Sequence, residues 1–136
     1  MTGRFQIAVH IFTLLHAAGD EYISSDYIAG SVNINPVLIR KELSYLRNLG
    51  LIASKEGKSG GYTLGKSAGT ITMADIYEAV MVNPVLGKAR NQPNPKCPIG
   101  QQISSHLKNM DAELTRVITE KLRRQTLAEF YKQFNT

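Results

Sequence analysis

Two clusters of side chains in the first half of the chain are built to meet a polyanion. Between residues 36 and 66, Arg40, Lys41, Arg47, Lys55, Lys58 and Lys66 stand against only Glu42 and Glu56. At helical spacing, Val37, Arg40, Lys41 and Ser44 share one face, with Arg47 and Asn48 further along, while Ile39, Leu43 and Leu46 fall on the opposite face. Arginine and lysine donate hydrogen bonds to base edges and phosphates, serine bonds to either, and a valine methyl can meet the methyl group of thymine. The second cluster is Lys55-Glu56-Gly57-Lys58-Ser59-Gly60-Gly61, where glycines permit close backbone approach to phosphates and lysines neutralise them. Each cluster alone has a plainer explanation, a solvated charged face in the first case and a simple hairpin turn in the second. Together, and preceded by a short capped helix, they point to nucleic-acid contact.

Other chemistries find less support. Gly57-Lys58-Ser59 has the ending of a nucleotide-binding phosphate loop, but that motif needs a glycine five residues before Gly57, where Ile52 stands. The motif must also open a helix, and Gly60-Gly61-Tyr62 reads instead as a returning strand. His10 and His16 lie six apart on a helical pattern, not three or four, and make a poor metal pair. The one cysteine, Cys97, cannot form an intrachain disulfide or a zinc or iron–sulfur site built from several cysteines of one chain. Neither catalytic nor metal residues are assigned. Cys97 lies between Lys96 and Pro98 at the start of a helical pattern, a setting of the kind that activates thiols. An inert thiol is the plainer reading, and a redox sensor or intersubunit disulfide former is the candidate set against it.

These groups must be held by the surrounding elements. Residues 4–18 read as a helix, with Phe5, Ala8, Val9, Phe12 and Leu15 on one stripe and Ile7, Ile11, Leu14 and Ala18 on another. A helix apolar on two faces is buried on two sides, and in so small a chain the second side is expected against another subunit. A short helix opens at the N-cap Ser24, and a third at Asn35-Pro36, with Asn35 as cap and Pro36 in the first turn. Leu51–Ser54 and Tyr62–Leu64 read as a hairpin around the glycine-rich turn. Thr72 and Asp75 form a capping box for a fourth helix through Val80. Residues 83–98 are loop-like and carry four prolines, Lys88, Arg90 and Lys96, and no acid. Ile99, Ile103, Leu107, Met110, Leu114, Val117 and Ile118 then run as one continuous helical stripe. About 25 residues of helix would span roughly 37 Å, more than a compact monomer requires, so the stripe is assigned to pairing with a second copy. Thr126 and Glu129 cap a last short helix.

The 136 residues fit a single globular chain, with 43% apolar residues and a net charge of +5. No stretch approaches the ~18 uninterrupted apolar residues of a membrane span. The start, Met1-Thr2-Gly3-Arg4-Phe5, has no following small-residue cleavage site, and with one cysteine a reducing cytoplasm is the expected location. The order helix, helix, helix, hairpin is that of a winged helix-turn-helix. The fold expected is mainly α with a small β-hairpin wing, divided into a DNA-binding domain over 1–82, a sensor-type loop over 83–98, and a dimerisation helix with C-terminal helix over 99–136.

Gly3-Arg4-Phe5-Gln6-Ile7-Ala8, Ser25-Asp26-Tyr27-Ile28-Ala29, the run from Leu43 to Ile52, Gly57-Lys58-Ser59-Gly60-Gly61-Tyr62-Thr63-Leu64 and Ile71-Thr72-Met73-Ala74-Asp75-Ile76 together resemble the Rrf-two family, which includes IscR, NsrR and CymR. The resemblance covers nearly the whole chain, and its most specific part is the Gly-Gly-Tyr-x-Leu wing. It implies a dimeric bacterial transcription factor, in most members a repressor, bound to a palindromic operator on double-stranded DNA. It implies that Arg40, Lys41 and Ser44 lie in the recognition helix and Lys58, Ser59 and Gly60 in the wing. The full candidate DNA-contact set is Arg4, Ser25, Asn35, Val37, Arg40, Lys41, Ser44, Arg47, Lys55, Lys58, Ser59 and Gly60. Many members hold an iron–sulfur cluster on three cysteines in the loop where this chain has only Cys97. No cofactor is therefore expected, and the signal would be a small molecule or a redox change. The alternative reading is a dimeric protein-interaction module that has lost DNA binding.

Overall fold

The computed structural model describes residues 3–136, and their order is α1 (Arg4–Ala17), α2 (Ser25–Val32), α3 (Pro36–Asn48), β1 (Ile52–Lys55), β2 (Gly61–Leu64), α4 (Met73–Val80), α5 (Pro98–Arg123) and α6 (Leu127–Tyr131). The architecture is the expected one, a helical chain with one antiparallel hairpin and a long helix near the C-terminus.

The helix ends follow from local chemistry. The Ser24 hydroxyl accepts from the Tyr27 N–H at 3.1 Å and starts α2. Asn33 ends it at φ 62°, a left-handed turn that asparagine tolerates better than most residues. The Asn35 side-chain oxygen Oδ1 accepts from the Val37 N–H at 2.8 Å, and Pro36 occupies the first turn of α3. Both capping boxes form, Thr72 with Asp75 at α4 and Thr126 with Glu129 at α6. The two caps lie side by side as an antiparallel bridge between Thr72 and Thr126. Met73 N–H donates to Gln125 O at 2.9 Å and Leu127 N–H to Ile71 O at 2.8 Å, so each helix start also ties the other in place.

α1 is the centre of the molecule. Ile11 and Phe12 are fully buried, and the helix contacts α2, α4, α6 and β2. Ala8, Val9, Phe12 and Leu15 of its first stripe are buried, whereas of the second only Ile11 is, with Ile7, Leu14 and Ala18 half-buried. The chain returns after α5 and lays Leu127, fully buried, into the core that α1 organises. The segment after residue 99 thus supplies part of the core formed by residues 8–80.

The hairpin pairs Ile52 with Leu64, Ala53 with Thr63, Ser54 with Tyr62 and Lys55 with Gly61. A further antiparallel bridge, which periodicity did not reveal, joins Tyr62 to Ile23: each N–H donates to the other's carbonyl, at 2.8 and 3.0 Å. It ties the hairpin to the turn between α1 and α2. This close approach explains Gly61, which has φ 143° and where a Cβ would collide with the Ile23 carbonyl.

α5 stands apart. Among the described residues it contributes none that is fully buried. Its C-terminal half lies against α4, where Arg123 donates to Glu78 at 2.7 Å and approaches Asp75 to 3.9 Å. Ile118 and Leu122 are half-buried on that side.

Two outcomes follow from this packing. Leu127→Ala should lower the unfolding free energy by about 2–5 kcal/mol with a single denaturant transition. Two separate transitions would mean that α6 does not complete the core. Hydrogen bonds from Thr126 hold the Glu129 carboxyl below the usual carboxylate range. A lowered folded-state value stabilises above the ordinary carboxylate range and is lost as pH falls through the folded value. The stability deficit of Glu129→Ala relative to the parent should therefore shrink on acidification, as read by melting curves across pH. A deficit that does not change with pH would rule out the charged cap as its source.

Candidate nucleic-acid interface

α3 is split between core and solvent. Ile39, Leu43 and Leu46 are fully buried, while Val37 is 62% exposed and the Arg40 side chain 50% exposed. Lys41 and Arg47 are also exposed, and Ser44 is half-buried between the two faces. An isoleucine–leucine seam below therefore fixes a row of donors above.

Those donors are steadied by neighbours that the sequence pattern did not single out. The Arg40 guanidinium lies 3.9 Å from the Asp26 carboxylate in the first turn of α2. Arg47 donates to the Ser54 hydroxyl on β1 at 3.1 Å, linking the end of α3 to the hairpin. The Lys55 ammonium sits 5.6 Å from the centroid of the Tyr22 ring, within cation–π range. The available signals were the helix spacing of Asp26 and the strand alternation of Ser54; neither says which residue of another element will face it.

The remaining candidates fall into distinct places. Ser25 opens α2 and is half-buried beside the capping Ser24. Asn35 spends its side-chain oxygen on the α3 cap. Lys58 and Ser59 are exposed at the hairpin tip, and Gly57 makes the turn at φ 100°. Gly60 donates its N–H to the Gly57 carbonyl at 3.0 Å, and a Cβ on it would strike the Lys55 carbonyl, so the tip requires glycine there for packing alone.

Arg4 lies on α1 and makes a bidentate pair with Glu42 of α3, with both N–O distances 3.0 Å. Its guanidinium also lies 5.1 Å from the centroid of the Tyr45 ring. The hydrogen bond to Glu42 raises the Arg4 pKa above its ordinary value. Geometrically, Arg4 is a strut between α1 and the inner edge of α3.

Two of the three histidines, His10 and His16, are engaged within the chain. His10 Nε2 lies 3.0 Å from the Ser31 hydroxyl, and His16 meets the Tyr131 ring edge-on at 4.9 Å. Cys97 is exposed at the N-cap of α5, without a side-chain cap bond. Its N–H donates to the Asn94 carbonyl at 3.2 Å. Lys88, Arg90 and Lys96 of the preceding loop are all exposed. On α5, Ile99, Ile103, Leu107, Met110, Leu114 and Val117 are all exposed on one stripe. Among the described residues no helix is long and apolar enough to cross a membrane.

Comparison with known proteins gives one consistent result. The family described as Rrf2: Iron-dependent Transcriptional regulator matches residues 1–133. The chain is 33% identical over 129 residues to YwnA of Bacillus subtilis (strain 168), a candidate HTH-type transcriptional regulator, covering 95% of both chains. It is 29% identical over 127 residues to the HTH-type transcriptional regulator IscR of Yersinia enterocolitica, covering 93% of this chain and 74% of IscR. Among solved structures, a candidate transcriptional regulator from Lactobacillus plantarum superposes with a TM-score of 0.80 at 30% identity, over 96% of this chain and 88% of that one. CymR, the global cysteine regulator of B. subtilis, shares the fold with a TM-score of 0.73 at 21% identity, over 99% of this chain and 98% of that one.

An iron-dependent family calls for side chains able to hold the metal. Among the described residues no three His, Cys, Asp or Glu side chains are grouped to hold a metal ion. The single exposed thiol of Cys97 does not fit a cluster that needs three thiolates from one chain. The relatives are regulators of transcription and not enzymes. With the winged-helix architecture, a family match over nearly every residue and a 33% identical relative matched over 95% of both chains, the chain belongs to the Rrf2 family of transcriptional regulators.

Proposed function

We propose that this chain is a homodimeric, sequence-specific repressor that binds a palindromic operator in double-stranded DNA, in the cytoplasm and without an iron–sulfur cluster. The observation that carries the reading is the row of Val37, Arg40 and Lys41, exposed on a helix whose opposite face is fully buried. α3 enters the major groove, which admits one helix, and its N-terminal part reaches the bases. Arg40 and Lys41 donate to guanine or phosphate oxygens, and Val37 meets a thymine methyl. The hairpin tip, with Lys58 and Ser59, holds the adjacent backbone. Because Arg47 bonds to Ser54 and Tyr62 to Ile23, helix and hairpin approach the duplex as one unit.

Dimerisation in this reading uses α5. Its exposed apolar stripe needs a cover, and a second copy of the same stripe supplies one of matching length and chemistry. Two reading helices then meet half-sites about 34–36 Å apart, or a multiple of that spacing. An operator so occupied is closed to polymerase, which is the repressor action proposed. Within this scheme 1–82 act as the reading domain, 83–98 as the sensing loop and 99–136 as the pairing segment. Cys97, exposed at the junction of loop and pairing helix, is the candidate redox sensor.

Operator fragments selected from genomic DNA provide the assay. Arg40→Ala and Lys41→Ala should each weaken operator binding by about 1–3 kcal/mol, roughly 5- to 150-fold, with dimer mass unchanged. Parent-like binding by both variants would show that α3 is not the reading face. Binding by the parent should also fall steeply between low and moderate salt. No salt-dependent shift would favour a protein-interaction module instead. Leu107→Glu with Met110→Glu should convert the dimer to monomer and lower operator affinity at least roughly tenfold. An unchanged mass in sedimentation would remove α5 as the dimer interface.

A further inference from the structure

Between α1 and α6 lies a pocket of about 420 Å³ that the operator-binding reading leaves unused. Its volume is within the range of roughly 300–1,000 Å³ usual for small-molecule sites. Phe5, Phe130, Phe134 and Met73 contribute aromatic and sulfur surface, and Val9 adds to the apolar lining. The lining also includes Gln6 and His10, which carry hydrogen-bonding groups, and no Asp, Glu, Lys or Arg. Phe130 meets Phe134 edge-on at 5.5 Å, and Tyr131 stacks on Phe134 at 6.1 Å, so the α6 wall is itself a packed aromatic cluster.

That composition defines the occupant. A charged ligand would be desolvated against a lining whose one titratable side chain, His10, is already bonded to Ser31, which is costly. An aromatic ligand gains offset or edge-on ring contacts and, through a single polar group, a hydrogen bond to the Gln6 amide. We propose that this pocket is a binding site for a small, uncharged aromatic molecule carrying one hydrogen-bonding group, and that its occupancy alters operator affinity.

The second part rests on the operator-binding reading and on three linkages of the lining residues. His10 bonds to Ser31 on α2. Phe5 meets the Tyr77 ring of α4 edge-on at 5.6 Å, and its neighbour Arg4 is the bidentate strut to Glu42 on α3. Met73 opens α4, against which the C-terminal half of α5 is packed. A ligand between α1 and α6 therefore bears on the residues that hold both helices of the helix-turn-helix unit. It acts only to the extent that it prefers one arrangement of α1 and α3 over another.

The test uses the intact protein and N-phenyl-1-naphthylamine, a neutral fluorescent aromatic with one N–H donor. Its charged analogue 8-anilinonaphthalene-1-sulfonate serves as the contrast. The neutral probe should bind at one site per chain and more tightly than the sulfonate. Gln6→Trp, which fills the mouth, should abolish binding, and Phe134→Ala, which removes an exposed wall, should weaken it roughly tenfold. Val82→Ser, at an exposed position outside the lining, should leave it unchanged. Dimer mass and melting temperature identify any variant that fails to fold, and Phe134→Ala remains decisive if Gln6→Trp is one. Equal binding of the probe by the parent and the folded pocket variants would overturn the site. So would binding that appears only on dilution to monomer, because a second copy would then cover the pocket. Probe binding with operator affinity unchanged would overturn the coupling. Loss of the pocket result with DNA binding intact refutes this inference alone, whereas absence of DNA binding by the unliganded protein refutes the function proposed above.

Discussion

Burial of α1 is the constraint on which the other elements depend. Ile11 and Phe12 have no solvent exposure, and α2, α4, α6 and β2 each take their place by covering part of this one helix. Removing apolar surface from water is worth ~25 cal/mol per Å², and no other helix is covered on so many sides. α3, by contrast, spends only three fully buried side chains on the core. Its orientation is inherited: Arg4 braces it from α1 through Glu42, and Arg47 braces it from β1 through Ser54.

The elements with local causes were legible in the sequence. Ser24, Asn35-Pro36, Thr72 with Asp75 and Thr126 with Glu129 each announce a helix start, because a capping side chain bonds within three residues of itself. The two faces of α3 were legible for the same reason, since a 3.6-residue period fixes which residues point together. The arrangement of pairing strands was readable only in part. Gly60 and Gly61 marked a turn, but the demand for glycine comes from the Lys55 and Ile23 carbonyls, which no short window contains.

What was hidden is long-range. The two apolar stripes of α1 suggested a partner subunit, but that the chain returns through α6 to pack against this same helix was not visible. The brackets on the basic residues, Asp26 for Arg40 and Tyr22 for Lys55, join elements whose relative placement is a tertiary matter. The aromatic pocket joins Phe5 to Phe130 and Phe134 across more than a hundred residues of chain. Periodicity has no access to such pairs.

The division of labour within α3 has a consequence for how such a protein diversifies. Val37, Arg40 and Lys41 face solvent and support nothing beneath them, while Ile39, Leu43 and Leu46 hold the helix. Exposed substitutions away from packing features change stability by only about 0.5 kcal/mol in either direction. The surface row can therefore drift through many side-chain combinations while the scaffold stays folded. On the function proposed above, a duplicated copy of this gene acquires a new target sequence through a few codon changes that leave its product's stability nearly unchanged.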